Sequence, residues 1–393
     1  MTTTHQQFTD VPLDVFDDVD LDQLRRRRSV KWRTYPSEVL PAWVAEMDFP
    51  LAEPITATVG AALDCGDCGY AEVGELAGAF AGYAANRYGW ELDPAGVFAF
   101  PDVMSAVADL LRLVTRPGDA VVINPPVYPP FFSVVEDVGR LLVEVPLERR
   151  GDHWSLDLGG VEAAFAAGAR AHLLCNPHNP TGSVPNRSEL VALVELAERY
   201  DVTVLSDEIH APMTLPGATH TPYVALGGAA AERGVTLASA SKAWNVAGLK
   251  CAVAVAGSAA MRAQLAALPE ETPYRCGHLG VLAAVAAFRE GGQWLDGLLR
   301  RLDENRRLLA DLLAAQLPAV GYLPPQAGYL AWLDCTALRL GDDPAARFLE
   351  RGRVALSPGP TFGGPGAGFA RLNMGTSPAL LKEAVRRMAA AVS

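Results

Sequence analysis

Short apolar runs alternate with amphipathic segments over the middle of the chain. Five runs are apolar without strict alternation, which is typical of strands buried on both faces of a sheet. They are Ala120–Ile123, His172–Cys175, Val202–Leu205, Val235–Ala238 and Cys251–Ala256. Between two of them, Ser188–Tyr200 places its leucines at helical spacing. Strand, helix and strand in this order predict an α/β fold with a mostly parallel sheet covered on both faces.

The pattern changes beyond residue 288. A long amphipathic helix is predicted over Gly292–Gln316, and a short segment of mixed helices and strands follows it. The 393 residues suffice for one large α/β unit with a smaller appendage. We therefore predict a large domain over residues 46–287, and a smaller α+β domain formed by residues 1–45 together with residues 288–393.

Charge and hydropathy exclude some classes of protein. The formal net charge of −12 argues against a broad nucleic-acid-binding surface. The one dense basic run, Arg25–Arg28, is interpreted as a solvated turn or a subunit contact. No apolar stretch approaches the roughly 20 residues that span a bilayer, and the acidic first twenty residues are unlike a signal peptide. We expect a cytoplasmic protein without nucleic-acid or membrane partners.

Six cysteines are scattered along the chain. Cys65 and Cys68 have the spacing of a metal or redox motif, but no second such pair and no nearby histidine pair completes a zinc site. We predict no metal site, and two reduced, partly buried thiols at this pair.

Polar residues gather in the loops that follow the predicted strands. Ligands of open α/β sheets bind at the carboxyl ends of the strands. The loops are Asn124-Pro125-Pro126, Asn176-Pro177-His178-Asn179-Pro180, Asp207-Glu208-Ile209-His210 and Ser239-Ala240-Ser241-Lys242. We therefore expect the functional site at this edge of the sheet.

Lys242 is the candidate for covalent chemistry. A catalytic lysine needs a pocket in which it forms an imine and in which its amine is available in the neutral form. Ser239 and Ser241, just before it at a strand end, are suitable donors to a phosphate, and Lys250 could supply a cation to the same group. Taken alone, this motif also fits an ordinary loop lysine.

Asp207 and His210 follow a different strand. A carboxylate at a strand end inside an α/β core is costly unless it is paired. A protonated pyridine nitrogen would be a strong partner and would keep the ring an electron sink for a Cα carbanion. A helix cap is the alternative for Asp207. His210, three residues later, is placed near the phenolic oxygen of the same planar ligand.

Further candidates complete the set. Asn179, in the turn Asn179-Pro180-Thr181-Gly182, is placed to donate its amide to that phenolic oxygen. The helix that opens after Asp102 exposes backbone N–H groups to a phosphate. Tyr128 could stack on the ring face. Arg371 could clamp a substrate α-carboxylate through two hydrogen bonds, although a surface ion pair is the alternative.

This order of motifs resembles the fold-type I enzymes that use pyridoxal 5′-phosphate (PLP), the aspartate aminotransferase superfamily, over nearly the whole chain. Within the superfamily the chain is most similar to the MalY/PatB-type cystathionine β-lyases, or cysteine C–S lyases. The segments that carry this narrower likeness are Val30-Lys31-Trp32, Tyr35-Pro36, Leu40–Phe49, Ser206–His210 and Ala247-Gly248-Leu249. The resemblance implies a fold-type I PLP-dependent transferase fold with a sheet of the seven-stranded type flanked by helices.

The resemblance also implies roles for individual residues. It assigns Lys242 to the imine, Asp207 to the pyridine nitrogen, Tyr128 to the ring face and Asn179 to the phenolic oxygen, with Arg371 on the substrate carboxylate. The residues around the phosphate would be Val103, Met104, Ser105, Ser239, Ser241 and Lys250, joined by Tyr70 of a neighbouring subunit in a homodimer. Many superfamily members carry Tyr in place of His210 and Arg in place of Lys250.

The implied reaction is α,β-elimination from a cysteine S-conjugate, such as cystathionine, to a thiol, pyruvate and ammonia. The freed amine of Lys242 would remove the Cα proton, so the pocket should lower its pKa. An aminotransferase would use the same lysine, aspartate and arginine, and so remains an alternative. A specialised biosynthetic lyase or deaminase acting on a bulky S-conjugate is a further one.

A regulatory protein that keeps the fold but has no catalytic activity is an alternative of a different functional class. Transcription factors of this kind attach a helix-turn-helix domain ahead of the fold. Only about 45 residues precede the matching region here, and Lys242 is intact. Both observations favour an enzyme.

Overall fold

The computed structural model describes residues 14–17, 19–151 and 153–392. Most of the acidic segment on which the signal-peptide interpretation depends therefore lies outside the described residues. The described α-helices are α1 (Asp14–Asp17), α2 (Leu21–Arg26), α3 (Val30–Arg33), α4 (Glu53–Asp64), α5 (Gly74–Tyr88), α6 (Val103–Val114), α7 (Pro130–Asp137), α8 (Leu158–Ala166), α9 (Arg187–Tyr200), α10 (Gly228–Arg233), α11 (Ala259–Leu265), α12 (His278–Glu290), α13 (Gly292–Gln316), α14 (Pro344–Gly352) and α15 (Pro378–Val392).

The strands form one large sheet and several small ones. In chain order they are β1 (Leu40–Pro41), β2 (Val97–Phe100), β3 (Ala120–Ile123), β4 (Leu141–Glu144), β5 (Glu148–Arg150), β6 (His153–Ser155), β7 (Ala171–Cys175), β8 (Thr203–Asp207), β9 (Gly234–Ala238), β10 (Ala252–Ala256), β11 (Gly321–Tyr322), β12 (Leu330–Asp334), β13 (Val354–Ala355), β14 (Ser357–Pro358) and β15 (Phe369–Asn373).

The large sheet has seven strands in the order β2-β10-β9-β8-β7-β3-β4. Neighbours from β9 to β4 are parallel, whereas β10 is antiparallel to both β9 and β2. The predicted mostly parallel α/β sheet is confirmed, but the predicted strand over Cys251–Ala256 runs against the others. Nothing in its apolar pattern distinguishes the two directions.

The inner strands β7–β10 of this sheet are buried on both faces, as their unbroken apolar runs predict, whereas the edge strand β4 is partly exposed. Successive residues of β10 alternate between two hydrophobic clusters, with Ala252 and Ala254 on one face and Val253 and Val255 on the other. Helices α6, α7 and α11 contribute to the first cluster, and α9 and α12 contribute to the second. The strand ends are thereby fixed in a rigid frame.

A second sheet of four strands, in the order β11-β12-β15-β14, lies in the C-terminal part of the chain. The long helix α13 spans the residues that the sequence predicts, Gly292–Gln316, and contacts α15. Strand β15 carries Arg371, and β14 pairs with it at Ser357. The division into domains at residues 46 and 287 stays a prediction.

The irregular segment 43–49, here called the strap, lies in the chain between β1 and α4. Its carbonyl oxygens accept hydrogen bonds from side chains that are distant in sequence. The donors include Arg27, Lys31, Lys242, Asn245, Tyr329, Ser357, Arg371 and Asn373. Because a buried backbone must be hydrogen-bonded, these side chains fix the path of the strap.

Lys31 and Asp48 add a buried ion pair to the strap. The ammonium nitrogen of Lys31 lies 2.7 Å from Asp48 Oδ1 and 2.9 Å from the carbonyl oxygen of Glu46. Both side chains are almost fully buried. Lys31, from one of the N-terminal segments that carry the narrower resemblance, therefore anchors the strap.

Four smaller expectations concern the paired thiols, metal ions, the basic run and the membrane. Cys65 and Cys68 are exposed, which corrects the expectation of partly buried thiols, because α4 ends at Asp64 and the chain continues as a surface turn. No group of metal-ligating side chains occurs among the described residues. In the basic run, Arg27 binds strap carbonyls while its neighbours are exposed. No helix in the described part of the chain is long and apolar enough to cross a membrane.

Candidate active site

A cavity of about 240 Å³ opens at the carboxyl ends of β7, β8 and β9. It is lined by Ala45, Asp102, Val103, Met104, Tyr128, Cys175, Asn179, Asp207, Ile209, His210, Ser241, Lys242, Ala247 and Lys250. Most of the residues singled out in the sequence thus meet in one place. The structure does not place Ser105, Ser239, Arg371 or Tyr70 among the lining residues.

Lys242 lies in the cavity with its amine against the strap. Its Nζ donates a hydrogen bond to the carbonyl oxygen of Ala45 at 3.0 Å, and the hydroxyl of Tyr329 donates to the same oxygen at 3.0 Å. Burial, followed by the positive charge of Arg371, lowers the pKa of Lys242 to about 8. A substantial neutral fraction is therefore available near neutral pH, as imine formation and proton transfer require.

Asp207 is the last residue of β8 rather than the first residue of the following loop. Its carboxylate accepts a hydrogen bond from the backbone N–H of Ile209 at 3.1 Å, and no cationic side chain of the described residues pairs with it. Burial raises the pKa of Asp207 to about 7. A buried carboxylate without a cation favours a cationic ligand, because such a ligand would offset its desolvation.

His210 is buried beside Tyr329, with ring centroids 6.4 Å apart. Burial, followed by the positive charges of Lys242 and Arg371, lowers the pKa of His210 to about 3. The imidazole is therefore neutral at physiological pH. A neutral ring in the cavity wall can donate or accept one hydrogen bond without adding charge.

Arg371 projects from β15 toward the turn that carries Asn179. Its guanidinium donates to Asn179 Oδ1 at 3.0 Å and to the carbonyl oxygen of Trp43 at 2.9 Å. Its Cζ also lies 4.9 Å from the ring centroid of Phe362, and its Nε has no hydrogen-bond partner within the described part of the chain. Burial lowers the pKa of Arg371 to about 10, so it stays charged. The alternative of a surface ion pair is wrong, because the side chain is buried and has no carboxylate partner among the described residues.

The N-terminus of α6 forms another part of the cavity wall. Asp102 caps this helix by accepting the N–H of Ser105 at 2.8 Å, and its other oxygen lies 3.1 Å from the ammonium of Lys250. Ser241 lines the cavity, whereas Ser239 lies behind it, within 2.8 Å of Ser241 Oγ and 2.6 Å of the Cys251 carbonyl oxygen. Ser239 thus supports Ser241 from behind.

Two predicted residues remain to be placed. Tyr128 lines the cavity, and burial raises its pKa, so its hydroxyl is protonated. Tyr70 lies on the surface with 88% of its side chain exposed, so it does not reach the cavity of its own chain.

Sequence reasoning missed several features of the site. The carbonyl oxygen of Ala45 belongs to a motif that was recognised only as a family marker. Tyr329 lies on a distant strand end, and the side chain of Asp102 carries no signal beyond helix capping. Cys175, Ile209 and Ala247 also line the cavity, although the sequence analysis gives them no role there.

The residues present fit PLP. A buried carboxylate without a cationic partner among the described residues, an amine that can be neutral, and a helix N-terminus with a lysine all line the same cavity. These three features match a protonated pyridine, an aldehyde and a phosphate. The unpartnered Nε of Arg371 leaves a donor for a further anion.

Comparison with known proteins gives a consistent result. The model of the family "Aminotransferase class I and II" matches residues 35–388. The chain is 46% identical to a Mycobacterium tuberculosis protein assigned as a cystathionine β-lyase (95% of this chain, 97% of that protein) and 37% identical to the cystathionine β-lyase PatB of Bacillus subtilis (93% and 97%). A solved structure assigned as a PLP-dependent β-cystathionase from Corynebacterium diphtheriae superposes with a TM-score of 0.90 at 36% identity (95% and 98%).

Proposed function

Because the chain belongs to the aminotransferase class I and II family, we propose that it is a PLP-dependent carbon–sulfur lyase acting on cystathionine or another cysteine S-conjugate. The predicted cofactor and enzyme class are confirmed by relatives that are PLP-dependent C–S lyases over almost the whole chain. One observation carries the PLP chemistry of the proposal: the amine of Lys242 and the carboxylate of Asp207 line one cavity, with pKa values of about 8 and about 7. The choice of a lyase over an aminotransferase rests on the similarity to cystathionine β-lyases.

PLP, when bound, supplies an electron sink for the negative charge that develops at the substrate Cα. The residues of this chain supply the proton transfers. Lys242, as a neutral amine, removes the Cα proton at its Nζ, while its N–H remains donated to the Ala45 carbonyl oxygen. That hydrogen bond leaves the lone pair of the amine available for the proton. Elimination of the thiol from Cβ follows, and hydrolysis gives pyruvate and ammonia.

Asp207 interacts with the ring nitrogen of the cofactor, and Arg371 interacts with the carboxylate of the substrate. Asp207 stabilises a proton on the ring nitrogen, since a nearby cation offsets the cost of its buried charge. Arg371 holds the substrate carboxylate, with Asn179 fixing the guanidinium through its side-chain oxygen. Neutral His210 contributes a polar contact without competing for the carboxylate. These assignments rest on the positions and hydrogen bonds described above.

A homodimer is the second part of the proposal. Tyr70 is largely exposed although the resemblance places it at a phosphate, and Leu63 and Tyr274 are other large exposed apolar side chains. Contact of the surface around Tyr70 with a second copy would bury Tyr70 near the partner's cavity. Sedimentation of the holoenzyme should give a dimer; a monomer with full activity would contradict this part. The cytoplasmic location also stays a prediction.

The test is to add L-cystathionine, without any keto acid, to the PLP-loaded protein and to follow pyruvate and free thiol. We expect equal release of both products. The Lys242→Ala variant should release neither and should lack the absorbance of a cofactor bound covalently to lysine. Normal turnover by this variant would contradict the assignment of Lys242.

Two other results separate the alternatives. Bleaching of the cofactor that only a keto acid reverses, without thiol release, would identify an aminotransferase. Release from a larger S-conjugate but not from cystathionine would identify the specialised lyase, with the same residues in the same roles.

A further inference from the structure

The part of the cavity wall formed by the N-terminus of α6 and Lys250, here called the phosphate end, contains an anion of its own. Asp102 lies at the start of α6 and lines the cavity together with Val103, Met104, Ser241 and Lys250. A helix N-terminus and a lysine are the groups that bind a phosphate well. A carboxylate among them is unexpected, because it repels the phosphate that they would attract.

The two carboxylate oxygens of Asp102 already accept hydrogen bonds from groups at the phosphate end that could otherwise bind a phosphate. Oδ1 accepts the backbone N–H of Ser105 at 2.8 Å, and Oδ2 lies 3.1 Å from the ammonium of Lys250. Burial acts to raise the pKa of Asp102, but the Ser105 N–H and the Lys250 ammonium outweigh it and hold the pKa below its usual value. The carboxylate is therefore charged at neutral pH.

A charge count shows the consequence. At this end of the cavity Lys250 contributes one positive charge and Asp102 one negative charge, so their side chains sum to zero. A phosphate monoester brings a charge of about −1.5 to −2 at pH 7. The N–H groups of Val103 and Met104, in the first helical turn, have no intrahelical acceptor and remain for it. The ammonium of Lys250 has to be shared between the Asp102 carboxylate and the phosphate.

We propose that the Asp102 carboxylate is an internal competitor of the cofactor phosphate, which weakens PLP binding and makes the cofactor exchangeable. This inference rests on the proposed function, because it takes PLP as the ligand. The competition is moderate, since Asp102 and Lys250 are 33% and 56% exposed and water screens their charges.

Asp102→Asn is the matched test, because asparagine keeps an oxygen for the Ser105 N–H and is itself a good N-cap. Cofactor-free protein is titrated with PLP by equilibrium dialysis. We expect the dissociation constant to fall about tenfold in Asp102→Asn. The affinity for pyridoxal, which lacks the phosphate, should stay unchanged.

Asp93→Asn is the control variant. Asp93 also caps a short helix, through the N–H of Ala95, and pairs with Arg262 at 2.7 Å, but it does not line the cavity. Its substitution should leave PLP affinity within about twofold of the wild type. A tenfold change in this control would show that the loss of surface negative charge, rather than competition at the site, explains the result, and would overturn the inference.

A double-mutant cycle with Lys250→Met tests the sharing of the ammonium itself. Removal of Lys250 should weaken PLP binding by a larger factor in the Asp102→Asn background than in the wild type, because Asp102 no longer shares it. Unchanged or weaker PLP binding in Asp102→Asn, or an equal gain for pyridoxal, would overturn the inference. A wild-type protein that does not bind PLP at all would instead contradict the proposed function.

Discussion

Asp48 in the strap and Asp207 at the carboxyl end of the central strand β8 are both 4% exposed, yet their surroundings differ. Asp48 forms an ion pair with Lys31 at 2.7 Å. Asp207 accepts one backbone N–H and has no cationic partner among the described residues. Burial of a charge is costly unless a partner offsets the cost. The comparison indicates that Asp48 serves the fold of the chain alone, whereas the environment of Asp207 is completed by a ligand.

The two regions meet at Lys242. Its amine donates to the carbonyl oxygen of Ala45 in the strap, and its charge acts on Asp207 across the cavity. The paired carboxylate thus stabilises the segment that positions the lysine, while the unpaired carboxylate acts on the cofactor. Substitutions in the two regions should therefore separate stability from catalysis.

The largest effect is expected from Asp207→Asn on activity. The amide keeps an acceptor for the Ile209 N–H but cannot stabilise a proton on the pyridine nitrogen. We expect kcat/KM to fall about 10³-fold, or about 4 kcal/mol, at saturating PLP. Steady-state kinetics check this, with bound cofactor quantified as phosphate. A loss below tenfold with full cofactor occupancy would remove Asp207 from the proposed role.

Lys31→Met should act on stability instead. It leaves the buried carboxylate of Asp48 without its partner, which costs about 3 kcal/mol of the free energy of unfolding. Urea denaturation of the cofactor-free protein measures this. The control is Lys250→Met, whose partly exposed pair with Asp102 should contribute less than about 1 kcal/mol. Equal losses in the two variants would show that burial does not distinguish these pairs.

A smaller effect concerns pH. The pKa of Asp207 is raised to about 7 in the folded cofactor-free protein, against about 3.9 when unfolded. The folded state therefore holds the proton more tightly, and the stability gained from that proton is lost as the pH rises through 7. Between pH 5 and pH 8, Asp207→Asn should gain about 2 kcal/mol relative to the wild type. Parallel stability profiles for the two proteins would contradict the raised pKa.

The sequence determined much of the architecture. The unbroken apolar runs identified β3 and β7–β10 to within two residues, because strands buried on both faces need apolar side chains at every position. The helical spacing in Gly292–Gln316 identified α13 with the same bounds. The loops after the strands identified Asn179, Asp207, His210, Ser241 and Lys242 of the cavity wall, since the carboxyl ends of parallel strands meet at one side of a sheet.

Other features were decided only by the tertiary structure. The antiparallel direction of β10, the exposure of Cys65 and Cys68, and the hydrogen bond from Tyr329 to Ala45 all depend on segments that are distant in sequence. The same holds for the two buried aspartates. A sequence shows a carboxylate, but whether a cation lies beside it depends on how the chain packs, and that neighbour determines its pKa and its role.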